Sequence, residues 1–362
     1  MPEPRTEPSL LERLRGVAAR GLSRLPPGTQ RVLSRKPAIT IDGQTFDPTL
    51  QLMLTLRPDH AGLMDAPVAE SRARLRREVL SIGGTPTPVG TVRDLTVLGA
   101  AGPLPARLYR PDGAGAGPLP LLVFFHGGGF VLGDLDTHDE ACRLLCRHAG
   151  HQVLSVAYRL APEHPFPAPL DDALAAFRWA VAHATELGAD PSQVSVGGDS
   201  AGGTLSAVVS LLTAREPVRP LAQLLIYPAT DRTRPRPSHQ LFDQQFFLTL
   251  ADRDAFYHCY LGGSGASPDD PRISPLRAAD LSGLPPALMV LAGFDILRDE
   301  GEAYAEALRA AGTTCRVHRA SSLGHGFANL TSVSATAHRG MLTIAREWRT
   351  LVAEAIAGRV TA

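Results

Sequence analysis

Ser200 stands in Gly198-Asp199-Ser200-Ala201-Gly202, a G-x-S-x-G pattern that follows the apolar run Val194-Ser195-Val196 and opens a helical stretch. A serine hydroxyl is a weak nucleophile unless a base removes its proton, and it must project from the backbone to reach a substrate. A sharp turn between strand and helix does this, and flanking glycines avoid collision with the neighbouring backbone. A second pattern, His126-Gly127-Gly128-Gly129-Phe130, directly follows the apolar run Leu121–Phe125. Acyl transfer develops negative charge on a carbonyl oxygen, and glycine-rich backbone can turn N–H groups toward that charge. A phosphate loop would need Gly-Lys-Ser/Thr, which is missing. Gly127, Gly128 and Ala201 are therefore the expected oxyanion donors.

The remaining partners follow from chain order. Asp295 lies just past the apolar run Ala287–Gly293, at the end of an expected strand. Asp299 is its rival, but its spacing to Glu302 resembles a helix-capping box. His325 sits in Gly324-His325-Gly326-Phe327, after the last expected strand and before the last helix. Ser200, Asp295 and His325 thus form the expected triad, in the chain order Ser, Asp, His. Asp199 is expected to shape the turn through hydrogen bonds, and the proline-rich turn around Glu163 and His164 to route the chain.

These side chains need a scaffold, and the spacing of apolar runs supplies one. Leu119–Phe125, Gln152–Tyr158, Gln193–Gly197, Ala222–Tyr227, Ala287–Gly293 and Cys315–Arg319 read as buried strands. Helical stretches alternate with them at Asp139–His148, Leu170–Ala184, Ala201–Ala214, Asp299–Ala311 and Thr336–Ala357. That alternation predicts a mostly parallel sheet with helices on both faces. Val92–Val97 and Ala106–Tyr109 read as an edge hairpin. Residues 1–90 form a helical segment, with basic helix over 9–35 broken at Pro26-Pro27-Gly28 and another helix over Ser71–Val79. The leucines of 9–35 are expected to cover a core or pocket, an anionic membrane surface being the other use for such a helix. Residues 91–362 form the catalytic domain, and an insertion at about 231–265 carries Phe242, Phe246, Phe247, Phe256, Tyr257 and Tyr260. It is expected to form a cap over the sheet with the N-terminal helices, its aromatic residues lining an apolar pocket for the acyl or alcohol group.

His126–Phe130, then Gly133–Asp139 (GDLDTHD), Tyr158–Pro167 (YRLAPEHPFP) and Gly198–Gly203 (GDSAGG), together resemble the hormone-sensitive-lipase-like esterases, the bacterial family IV of the α/β-hydrolase fold. The resemblance runs from about residue 93 to the C-terminus. It implies an eight-stranded sheet, a helical cap, and hydrolysis of short- to medium-chain acyl esters without cofactor or metal. The family's Asp-Pro-Leu-Arg-Asp reads Asp295-Ile296-Leu297-Arg298-Asp299 here, which alters the turn and keeps the carboxylate. Family members often dimerise, so a homodimer is the assembly that analogy offers. Two other readings share the scaffold: a non-catalytic small-ligand receptor, and a hydrolase of amides, carbamates or lactones with the same triad. Receptors related to the family lack the catalytic histidine, whereas His325 is present.

Composition sets outer limits. Lys+Arg and Asp+Glu are both 36, so the chain has no basic excess to hold nucleic acid. Its four cysteines are too sparse for a disulfide framework, and Cys142 and Cys146 read as buried thiols on one helix face. No apolar run is long enough to span a membrane, and the N-terminus has no secretion-signal core. The expectation is a cytoplasmic enzyme with a small-molecule ester substrate and no firm membrane association.

Overall fold

A computed structural model describes residues 7–56, 62–115, 117–243 and 246–360. Ala116 of the loop between Asp112 and Pro118, Gln244 and Gln245 of the insertion, and residues 1–6 and 57–61 of the N-terminal segment lie outside the described residues.

Eight strands make the main sheet: β1 (Thr91–Gly99), β2 (Gly102–Arg110), β3 (Leu119–Phe125), β4 (Gln152–Val156), β5 (Ala189–Asp199), β6 (Gln223–Ile226), β7 (Ala287–Phe294) and β8 (Cys315–Gly324). Their order across the sheet is β8-β7-β6-β5-β3-β4-β2-β1. β1, β2 and β4 pair antiparallel, and β4 to β8 with β3 pair parallel. The central strands are continuous apolar runs because helices exclude water from both faces. Every residue of β4, β6 and the second half of β3 is buried, whereas the edge strand β1 is mostly exposed.

Eleven α-helices occur among the described residues: α1 (Leu10–Ser23), α2 (Pro27–Ser34), α3 (Pro48–Leu56), α4 (Val68–Ile82), α5 (Asp139–Ala149), α6 (Ala168–Ala182), α7 (Ala201–Thr213), α8 (Pro237–Phe242), α9 (Leu250–Leu261), α10 (Arg298–Ala310) and α11 (Ala335–Val360). α5 packs on α11, and α6 on α7, giving the layers that enclose the sheet. Cys142 and Cys146 are buried free thiols on α5, as their spacing implied.

Strand register places the chemistry. Phe125 pairs with Gly198, which brings the glycine loop after β3 beside the turn after β5. Asp199 pairs with Ile226, so Tyr227 follows next to Ser200. Gly324 pairs with Phe294, so the next residue on each strand, His325 and Asp295, emerge side by side.

The N-terminal helices differ from expectation in one respect. α1 starts at a capping box in which Ser9 and Glu12 satisfy each other's backbone. It crosses α4 so closely that a Cβ on Gly16 would lie 1.8 Å from the Ser81 carbonyl oxygen. This crossing turns Gly16, Ala19 and Leu22 toward a pocket, as expected of a covering helix, but leaves Leu10, Leu11, Leu14 and Val17 exposed. The sequence reading also missed α3 and the short hairpin of Thr40–Ile41 with Gln44–Thr45. α3 is short and apolar, without the periodic polar face that marks a surface helix.

Candidate active site

Ser200 occupies the turn between β5 and α7 with φ 51° and ψ −119°, a conformation that costs an L-residue energy. The turn persists because its neighbours leave no alternative. A Cβ on Gly198 would sit 2.2 Å, and one on Gly202 1.8 Å, from the Phe125 carbonyl oxygen. The Ser200 N–H is held by the Ile226 carbonyl at 2.8 Å.

The three expected triad members converge. His325 Nε2 lies 2.9 Å from Ser200 Oγ, and its Nδ1 lies 2.7 Å from Asp295 Oδ2. Asp295 is buried, and its other oxygen accepts the Leu297 N–H at 2.9 Å. With Oδ2 facing Nδ1, the ring's proton sits on Nδ1 and its Nε2 lone pair faces the serine hydroxyl. Tyr227 packs against the imidazole at 4.8 Å between ring centroids.

Asp299 does not cap its helix through Glu302. Its carboxylate instead accepts the Ser238 N–H at 2.8 Å and pairs with Arg298, tying the start of α8 to α10.

The glycine loop requires a correction. The Gly127 N–H donates to Asp199 Oδ1 at 2.8 Å and so points into a buried carboxylate, away from the serine. Among the described residues, the Gly128 and Gly129 N–H groups have no such partner, and both glycines line the cavity that holds Ser200. Their φ values are 114° and 63°, a backbone conformation that glycine adopts freely. Ala201, at the first position of α7, adds a third N–H on the same wall.

Beneath the loop lies a polar cluster built on Asp199, whose hydrogen bonds were expected, with His138 and Tyr227, to which the sequence assigned no role. Asp199 also receives the Tyr227 hydroxyl at 3.4 Å and lies 3.3 Å from His138 Nε2. Burial by itself would raise the Asp199 carboxyl, but the His138 charge and the Gly127 N–H overcome it and hold the group below its ordinary value. Burial likewise opposes the His138 cation, and Asp199 overcomes that to raise His138. His126, by contrast, is pushed down to about 4 by burial and by the neighbouring His138. Its Nδ1 faces the Gly127 carbonyl at 2.8 Å, so the neutral ring carries its proton there. His138 had a signal, the Asp-Thr-His-Asp run, whose side-chain direction is invisible without the fold.

The cavity of about 870 Å³ in front of Ser200 has walls from two parts of the chain. α1, α3 and α4 contribute Ala19, Leu52 and Leu75, and the insertion contributes Phe247, Phe256 and Tyr257. The other expected pocket aromatics are core. Phe242 and Phe246 pack with Phe294, and Tyr260 stacks on Phe130 at 3.8 Å behind the glycine loop. The turn at Glu163 is fastened to α4 by the Arg72 guanidinium at 2.7 Å, which also takes the Val131 and Ala161 carbonyls.

A central β5 ending in a strained serine, with an acid after β7 and a histidine after β8, defines an α/β hydrolase. Residues 122–329 match the family model described as alpha/beta hydrolase fold. The chain belongs to that family, in its hormone-sensitive-lipase-like branch. It is 53% identical over 324 residues to the carboxylic ester hydrolase LipN of Mycobacterium tuberculosis, covering 87% of this chain and 85% of that one. Ethyl acetate hydrolase of Pseudomonas putida is 38% identical over 281 residues, covering 76% of this chain and 87% of its own. Among solved structures, the hyperthermophilic esterase of Pyrobaculum calidifontis superposes with a TM-score of 0.78 at 35% identity, covering 84% of this chain and 98% of that one.

Proposed function

We propose that the chain is a serine carboxylic ester hydrolase acting on short- to medium-chain acyl esters without a cofactor. The observation that carries the reading is the bridging position of His325, 2.9 Å from Ser200 and 2.7 Å from Asp295. As Ser200 Oγ attacks the ester carbonyl carbon, His325 Nε2 takes its proton and Asp295 stabilises the resulting imidazolium. The N–H groups of Gly128, Gly129 and Ala201 hold the oxyanion. Collapse of the tetrahedral adduct expels the alcohol, which leaves with the proton from His325. Water then attacks the acyl-enzyme, giving its proton to His325, and the acid departs as Ser200 is restored.

The names of the relatives, carboxylic ester hydrolase and ethyl acetate hydrolase, support an ester substrate. Walls of Phe247, Phe256 and Tyr257 support a small apolar acyl or alcohol group. A base already in contact with its serine favours an enzyme over a ligand receptor. No helix among the described residues is long and apolar enough to cross a membrane. The reading takes the cytoplasm as its compartment.

A series of p-nitrophenyl esters from short to long acyl chains tests this, measured with wild type, Ser200→Ala and His325→Ala. Wild type should prefer the shorter members and both variants should fall to background. Retained turnover in Ser200→Ala would overturn the reading. Faster cleavage of an amide or lactone panel would reassign the bond cleaved.

A further inference from the structure

α1 exposes one apolar stripe to solvent. Leu10, Leu14 and Val17 follow helical spacing, with Leu11 beside them, and they are 75%, 57%, 56% and 58% exposed. The next helix, α2, exposes Val32 at 76% and Leu33 at 43%. α2 is fixed to the end of α1 by Gln30, whose amide donates to the Leu22, Ser23 and Leu25 carbonyls. Exposed leucines in isolation are ordinary, but this many on adjoining helices form a patch that calls for an occupant.

Charge selects the occupant. Residues 7–36 carry seven Arg and Lys against Glu7 and Glu12, in a chain whose formal net charge is zero. Arg13 on α1, Arg31 on α2, and Arg24 and Arg35 just past the ends of those helices are exposed. A second copy of this chain would bring like charges together and be repelled. An anionic lipid surface meets both features, taking apolar side chains below its headgroups and cations among them. α1 also forms a wall of the Ser200 cavity through Gly16, Ala19 and Leu22. The exposed stripe therefore lies about one helix diameter (~10 Å) from the cavity.

We infer that the exposed face of α1 and α2 docks reversibly onto anionic membrane surfaces, placing the ester-cleaving cavity beside the headgroup layer. The attachment is peripheral. α1 spans Leu10–Ser23 and is too short to cross a bilayer, and its opposite face stays packed on α4.

Co-sedimentation of the full chain with phosphatidylglycerol vesicles, and with phosphatidylcholine vesicles, tests the inference. The readout is bound protein, so its outcome does not depend on which bond the enzyme cleaves. Wild type should pellet with the anionic vesicles, remain in solution with the neutral ones, and be released as salt rises from about 0.05 M to about 0.5 M. Arg24→Gln and Arg31→Gln should each weaken binding about fivefold. Leu10→Ser/Leu14→Ser should weaken it about tenfold or more, and all these variants should hydrolyse a soluble p-nitrophenyl ester at the wild-type rate. Failure to pellet with phosphatidylglycerol, or equal pelleting with both lipids, overturns the inference. So does self-association of wild type that the leucine variant abolishes, without vesicle binding.

Discussion

Asp199 and Gly127, on neighbouring strand ends, are joined by a 2.8 Å hydrogen bond from the glycine N–H to the buried carboxylate. That bond determines which glycines face Ser200. With Gly127 turned inward, the loop rolls Gly128 and Gly129 toward the cavity, and packing leaves little room to adjust. A Cβ on Gly127 would lie 2.5 Å from Asp199 Oδ2.

Asp199→Ala should therefore lower kcat about 10²-fold, the usual effect of a misplaced oxyanion donor, while KM changes little. Asp199→Asn retains an oxygen for the Gly127 N–H but loses the charge facing His138 and the acceptor for the Tyr227 hydroxyl, so its kcat should lie between those of wild type and Asp199→Ala. Steady-state kinetics on one ester checks this. A folded Asp199→Ala enzyme with wild-type kcat would detach the carboxylate from the loop.

Gly129 meets a different constraint, the cap. Its φ is 63°, and an added Cβ would lie 2.2 Å from the Phe256 ring. Gly129→Ala should cut turnover about tenfold or more, because both the loop and α9 must shift. Phe256→Ala in the same chain removes the collision but not the backbone strain (about 1–2 kcal/mol), so it should restore only part of the rate. A double-mutant cycle on kcat/KM measures the coupling, and strict additivity would argue against contact between loop and cap.

Asp295→Asn probes the base. Asp295 Oδ1 is committed to the Leu297 N–H and Oδ2 to His325. In the variant the amide oxygen keeps the first bond and the amide nitrogen faces the ring. His325 must then accept at Nδ1 and carry its proton on Nε2, where it cannot take one from Ser200. The expected fall in kcat is about 10⁴-fold, with folding stability nearly unchanged. A loss under tenfold would mean that Asp295 does not set the tautomer.

Acid sensitivity follows from two buried imidazoles. Burial pushes His126 and His151 down to about 4 in the folded chain, with charges on His138 and Arg349 adding to the effect. Unfolded imidazoles protonate near ~6.5. Between those values the unfolded chain binds more protons, so stability falls as pH drops, by up to about 3 kcal/mol per ring. His138 has the opposite sign: its raised value gives stability that is full below ~6.5 and is lost as pH rises through the folded value. Asp199, held low, contributes stability above ~3.8 that is lost in stronger acid. Urea denaturation across pH ~4.5 to ~6.5 should show this slope, and His151→Phe should remove about one proton from it. Equal slopes in the two proteins would assign the acid sensitivity elsewhere.

What the sequence made legible was local. The serine turn, the acid after β7 and the histidine after β8 each sit in a short motif whose backbone requirement can be read from neighbouring residues. The strand-helix alternation likewise marked a mostly parallel sheet with helices on both faces, though not the order of its strands. Gly127 was misassigned because three consecutive glycines look equivalent until Asp199, 72 positions away, claims one N–H. Phe242, Phe246 and Tyr260 were placed in the pocket because an aromatic cluster does not reveal which members face Phe294 and Phe130 and which face the cavity. The exposed leucines of α1 eluded pattern reading because the close approach at Gly16 turns the helix's small residues, not its large ones, toward α4.

The central claim is that Ser200 is a nucleophile activated by His325, and covalent labelling tests it most directly. A fluorophosphonate should add one phosphonyl group per chain, displacing fluoride, and peptide mass spectrometry should place it on Ser200. His325→Ala should slow that reaction by orders of magnitude, and Ser200→Ala should abolish it. Labelling on another residue, or unchanged labelling of Ser200 without the imidazole, would contradict it.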